Sequence, residues 1–172
     1  MFDNFWLCWS VYMLVISIIY MIVLYFEKSN TIKSNKNDYN IKVTKSKFVN
    51  EVVKWCINNM DYPTGHKYYP QVKICYYKTK RSRYGDYTSN IRLIRIFINN
   101  HSSVVEIINT IIHEYTHYLQ MPTQKDQMEY DIYLKQKGYF DNPFEINARE
   151  TADKYTSICL KEMKRIGLIS RS

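Results

Sequence analysis

His113, Glu114 and His117, in the run His113-Glu114-Tyr115-Thr116-His117, are the residues of this 172-residue chain whose types and spacing most directly imply chemistry. Four positions apart on a helix, two histidines project from one face. Their imidazoles can then bind a single ion at about 2.0–2.1 Å. Glu114 is turned away from their midpoint and is too strained to be a third ligand to that ion. It can reach a water bound there and take its proton. The ordinary alternative is a pair of histidines on an amphipathic helix beside a solvated glutamate. The setting weighs against it, because Ile111-Ile112 precedes the motif inside a strongly patterned helix that follows a strand.

A catalytic zinc site has three protein ligands and one open position. The other histidines, His66 and His101, do not extend the motif downstream, so the third ligand is expected to be a later carboxylate. Glu145 and Glu150 are the candidates, in the run from Asp141 to Asp153. Glu145 shares a helical stripe with Ala148 and Ala152, whose small side chains would let two helices approach closely. Three residues after Asn142, Glu145 could instead complete a capping box. Glu150 lies about 140° around the helix from Glu145, so both cannot face one ion.

The elements that must hold these residues follow from periodicity. Phe48, Val49, Val52, Val53, Cys56 and Ile57 recur at helical spacing and predict a helix over about 46–59. Residues 61–70, with Pro63, Gly65 and Pro70, read as a loop. Alternation from Val72 to Tyr76 predicts a strand, 78–90 a basic turn, and Ile91–Ile98 a second strand. Ser103 and Glu106 fit a capping box opening a helix to about Gln120. Further helices are expected over 124–137, ending at Gly138, and over 143–165, with Pro143 at the first position. The expected class is α+β.

His113-Glu114-x-x-His117 with a later Glu145-x-x-Ala148 resembles the gluzincin branch of the zincin metallopeptidases. The layout over about Val72–Lys154 is similar to the small SprT-like and ImmA/IrrE-like domains. The resemblance implies a zinc peptidase in which one Zn²⁺ is held by His113, His117 and Glu145, with Glu114 as general base. It also implies a protein or peptide substrate extended along an edge strand, for which Ile91–Ile98 is the candidate. Tyr118, Tyr139 and Tyr155 are candidate oxyanion donors only because tyrosines are abundant, 17 in all.

Upstream, residues 5–26 carry no charge. As a helix rising about 1.5 Å per residue, that stretch would span roughly 33 Å, enough for a bilayer's hydrocarbon layer. It reads as a transmembrane anchor, followed by a polar linker over 27–40 and the folded domain over 41–168. Lys28, Lys33 and Lys36 follow the span, which places the catalytic part on the cytoplasmic side of a single-pass protein. Cys8, Cys56, Cys75 and Cys159 form no CxxC pair, so neither a zinc knuckle nor a disulfide framework is legible. The net charge is +8, and residues 41–100 hold 12 Lys/Arg against three acids. Two alternatives to a membrane-anchored peptidase follow: a nucleic-acid-associated protease using the basic 78–83 segment, and a non-catalytic metal-binding membrane protein.

Overall fold

Helix α1 (Lys45–Asn59) starts where the Thr44 side chain accepts a hydrogen bond from the Lys47 N–H. Its apolar positions recur every three or four residues, which buries Phe48, Val49, Val52, Val53 and Cys56 together. The computed structural model describes residues 39–60, 68–78 and 83–171, all within one compact unit, Ile32–Ser172. Around α1 the chain order is β1 (Tyr39–Ile41), α1, β2 (Gln71–Cys75), β3 (Gly85–Thr88), β4 (Leu93–Phe97), α2 (Val104–Gln120), α3 (Gln124–Lys137), α4 (Pro143–Arg165) and β5 (Ile169–Arg171). With four helices and two small sheets among the described residues, this is an α+β fold.

The larger sheet has the order β2-β4-β3, with β4 parallel to β2 and antiparallel to β3. The strand expected over Ile91–Ile98 is therefore shorter than predicted, and it is central rather than an edge. Ile91 closes a 3-10 turn and Arg92 adopts a left-handed conformation, so extended backbone begins at Leu93. Ile94 and Ile96 are fully buried opposite Val72 and Ile74, and a strand this apolar is best covered along both edges. The edge is supplied by β3, inside the stretch read as a turn. Gly85 and Asp86 disfavour a strand locally, but Asp86 stands directly opposite Arg95 on β4. Arg95 donates to both Asp86 oxygens, at 2.6 and 3.0 Å, which fixes the register. A second, two-stranded sheet pairs β1 with β5, so Tyr39 and Asn40, read as the end of a linker, are strand residues.

The core lies between the sheet and three helices. Helix α2 packs most extensively on α4 and also against α1, β3 and β4. Its Ile107, Ile108, Ile111 and Ile112 are fully buried. On α4 the buried stripe is Glu145, Ala148, Ala152, Thr156, Cys159 and Met163, and the alanines allow the close approach to α2. Among the described residues no helix is long and apolar enough to cross a membrane; the span read at 5–26 lies outside them.

Candidate metal centre

The helix carrying the motif is positioned from its first turn. Ser103 accepts from the Glu106 N–H at 3.1 Å, as expected of a cap. The Glu106 carboxylate reaches one residue further back than a capping box requires, accepting from the Ser102 N–H and hydroxyl. With the start fixed, about two and a half turns bring His113, and one more turn His117, to the side of α2 that meets Glu145 near the start of α4. There Asn142 caps α4 by accepting from the Phe144 N–H at 3.0 Å. Glu145 takes no part in that cap. Its carboxylate turns to the histidines instead.

Three donor groups converge. His113 Nε2 lies 3.1 Å from His117 Nε2. Glu145 Oε2 is 3.2 Å from His113 Nε2, and Glu145 Oε1 is 3.3 Å from His117 Nε2. Among the described residues these three make up the group of His, Cys, Asp and Glu side chains that could hold a metal ion. Glu150 is exposed and does not join it. No protein-family model, curated protein or solved structure matches this chain.

The fit to an ion rests on spacing and orientation. Donor atoms bound tetrahedrally at about 2.0–2.1 Å stand about 3.3–3.4 Å apart, close to the separations found here. Orientation is set by Gln120. Its amide N donates to Phe144 O at 3.0 Å and to Asn147 Oδ1 at 2.8 Å, which turns its oxygen toward His117 Nδ1 at 2.9 Å. His117 therefore carries its proton on Nδ1 and presents an Nε2 lone pair to the centre. Glu145 Oε2 is buried and, among the described residues, has no partner of hydrogen-bonding geometry. A cation would satisfy that oxygen and the facing lone pairs at once.

Neighbouring groups set the charge. Burial would raise the Glu145 carboxyl, but His113, His117 and the Tyr130 hydroxyl beside it hold it well below the usual carboxylate range. Tyr130 donates to Glu145 Oε1 at 2.7 Å. Burial opposes protonation of His117, and the carboxylates of Glu145 and Glu114 outweigh it, so its pKa is raised. Burial pushes the Glu114 carboxyl up to about 8, with Glu145 adding to the rise and His117 opposing it. Glu114 is pressed against β3: a Cβ on Gly85 would stand 2.9 Å from Glu114 Cγ and Oε1 and 2.7 Å from Thr110 Cγ2. Only glycine fits where this edge strand crosses the motif helix.

A cleft of about 830 Å³ opens over His113, His117 and Glu145, walled by β3 on one side and by Tyr130, Leu134, Tyr139 and Phe140 on the other. Of the three tyrosines named as oxyanion candidates, Tyr139 lines it. Tyr118 is fully buried and donates to Tyr68 O, and Tyr155 packs on Trp55, so neither serves the centre. His101 is structural. Its Nδ1 donates to Phe97 O at 3.1 Å and its Nε2 accepts from Thr110 at 3.0 Å. His66 and residues 79–82 of the basic segment lie outside the described residues. Gln120 and Tyr130 were not singled out in the sequence. Gln120 was within reach, since it follows His117 by three and faces the same side of the helix; nothing local marks Tyr130.

Proposed function

We propose that the chain is a zinc-dependent metallopeptidase of the gluzincin type, held at a membrane by its apolar segment at residues 5–26. The observation that carries this reading is the convergence of His113, His117 and Glu145 at 3.1–3.3 Å between donor atoms. A zinc ion held there supplies Lewis acidity and lowers the pKa of a bound water toward about 7.

With zinc held there, Glu114 would take a proton from the water whose oxygen bonds the scissile carbonyl carbon, and would return it to the amine released as the C–N bond breaks. Burial pushes the Glu114 carboxyl up to about 8, and a cation at the three ligands would oppose that rise and favour the carboxylate that can act as a base. Gln120 holds His117 in the tautomer that binds the metal. Tyr139, whose burial and proximity to Glu145 raise its pKa, stays protonated and donates to the developing oxyanion. The substrate backbone pairs along the outer edge of β3, which has no strand partner among the described residues.

The test uses the full chain in detergent, loaded with zinc and offered a mixed peptide library. Cleavage that stops on chelation and returns with zinc supports the reading. Stoichiometric zinc without cleavage overturns the peptidase assignment. Release of the full chain from membranes by carbonate would remove the anchor. Protease protection of residues beyond Lys28 tests the cytoplasmic orientation, which follows from the lysines after the span.

A further inference from the structure

A second cavity, of about 900 Å³, adjoins the metal cleft, and the two share Tyr87, Met121 and Gln127. Among the described residues one charged side chain lines it, Arg92, and no carboxylate does. Among the described residues no acidic group forms an ion pair with Arg92.

Arg92 is held with unusual firmness. It is the sole non-glycine residue with positive φ among those described, at φ 51°. Such a conformation is strained for a residue with a side chain and persists where the surroundings impose it. Here the Arg92 N–H donates to Ser89 O at 3.2 Å, and its carbonyl accepts from the Gln71 N–H at 2.8 Å. The guanidinium lies 5.0 Å from the centre of the Tyr68 ring, a cation–π contact. Tyr68 is tied in turn to the core, through the 2.9 Å bond its carbonyl accepts from the buried Tyr118 hydroxyl. Tyr87 adds a donor. Its hydroxyl is buried and has no hydrogen-bond partner among the described residues. Burial pushes that phenol up to about 12 against the opposing charge of Arg92, so it keeps its proton. A guanidinium and a neutral phenol offer hydrogen bonds, and among the described residues no anion receives them.

We propose that this cavity is a subsite for an acidic residue of the substrate, whose anionic oxygens are received by Arg92 and Tyr87. The assignment rests on the peptidase reading for its location relative to the scissile bond. Strand β3 runs from Gly85, against Glu114, to Thr88, on the cavity wall. At about 3.4 Å per residue that is about 10 Å, so the acidic residue stands about three positions from the bond cleaved. The preponderance of basic residues over 41–100, 12 against three acids, attracts the same class of peptide.

The test compares decapeptide pools, fluorescein-labelled and random except for one fixed Glu, phosphoserine or Gln. Binding to the full chain in detergent is read by anisotropy, and cleavage by mass spectrometry. The Glu pool is expected to bind about tenfold more tightly than the Gln pool. A phosphoserine pool exceeding the Glu pool would identify phosphate as the preferred oxyanion. Arg92→Asn removes the charge while placing at this position a residue that accepts positive φ, so folding is preserved, as thermal melting would verify. In it the Glu-to-Gln ratio should collapse toward one, and Arg92→Lys should restore part of it. Equal binding of the Glu and Gln pools to wild type overturns the subsite, as does a preference that survives Arg92→Asn. Cleavage without acidic preference would leave the peptidase reading standing alone. Arg92-dependent binding without cleavage would leave the subsite standing while that reading falls.

Discussion

Helices α2 and α3 are consecutive and both wall the same cleft, yet they are held by different forces. Ten residues of α2 are buried, including four fully buried isoleucines. None of α3 is, and its Met128 and Ile132 are 57% and 51% exposed. Helix α3 is held instead by its ends and a few polar links. Thr123 and Asp126 form a capping box, and Gly138 closes the C-terminus at φ 74°. Gln127 accepts from Ser89, and Tyr130 bonds Glu145. The three candidate ligands thus stand on the packed pair α2 and α4, while one wall of the cleft stands on the helix with least core beneath it. A centre needing sub-ångström placement belongs on packed elements, and a cleft that must admit a chain tolerates the looser one.

The largest effect expected is on α2. Glu114→Gln should cut peptide cleavage by about 10²–10⁴-fold while leaving zinc bound, because the proposed mechanism has the side chain move a proton rather than ligate. Steady-state kinetics with metal analysis would check it; an active Gln variant removes Glu114 from the mechanism. Gly85→Ala should destabilise by about 1–3 kcal/mol through overpacking against Thr110 and Glu114. Chemical denaturation measures that, and an unchanged midpoint would mean β3 can move away from the motif helix.

Smaller effects separate the two helices. Gln120→Leu should weaken zinc by about 10–100-fold by freeing the His117 ring. Tyr130→Phe, whose hydroxyl hangs on the looser α3, should weaken it less. Reversal of that order in competition with a chromogenic chelator would place the controlling partner on α3. Ile132→Ser, at a half-exposed site, should stay within about 0.5 kcal/mol of wild type by thermal melting. A larger loss would show that α3 is packed against something in the intact chain.

Acidity probes the same centre in chelated protein. The folded pKa values of His117 and Glu114 are both raised, so the folded state binds more protons than the unfolded one at neutral pH. Stability should therefore decline as pH rises from about 5 toward about 8. Glu145 acts oppositely, its pKa being lowered, and its contribution is lost as pH falls below its ordinary value of 4.5. Zinc should flatten the alkaline limb. A chelated protein most stable above pH 8 would contradict the carboxylate and histidine environment described here.

Much of this was legible locally. The reading of helices at 124–137 and 143–165 matches α3 and α4, because caps, Pro143 and Gly138 are short-range signals. The stripe through Ala148 and Ala152 pointed Glu145 inward for a physical reason that packing repeats: only small residues there let α4 approach α2. What stayed hidden was non-local. Strand β3 exists because Asp86 meets Arg95 across the sheet, and nothing in Gly85-Asp86-Tyr87-Thr88 alternates in polarity. Strands β1 and β5 are three residues each and stabilise one another from opposite ends of the domain. Tyr130 reaches Glu145 through a fold between helices, which periodicity cannot see.

Zinc affinity measured for wild type, Glu145→Gln and Glu150→Gln tests the three-residue centre most directly. Wild type should bind one ion, Glu145→Gln should bind far more weakly with its fold intact by circular dichroism, and Glu150→Gln should match wild type. Normal binding by Glu145→Gln, or loss confined to Glu150→Gln, would contradict the centre built from His113, His117 and Glu145.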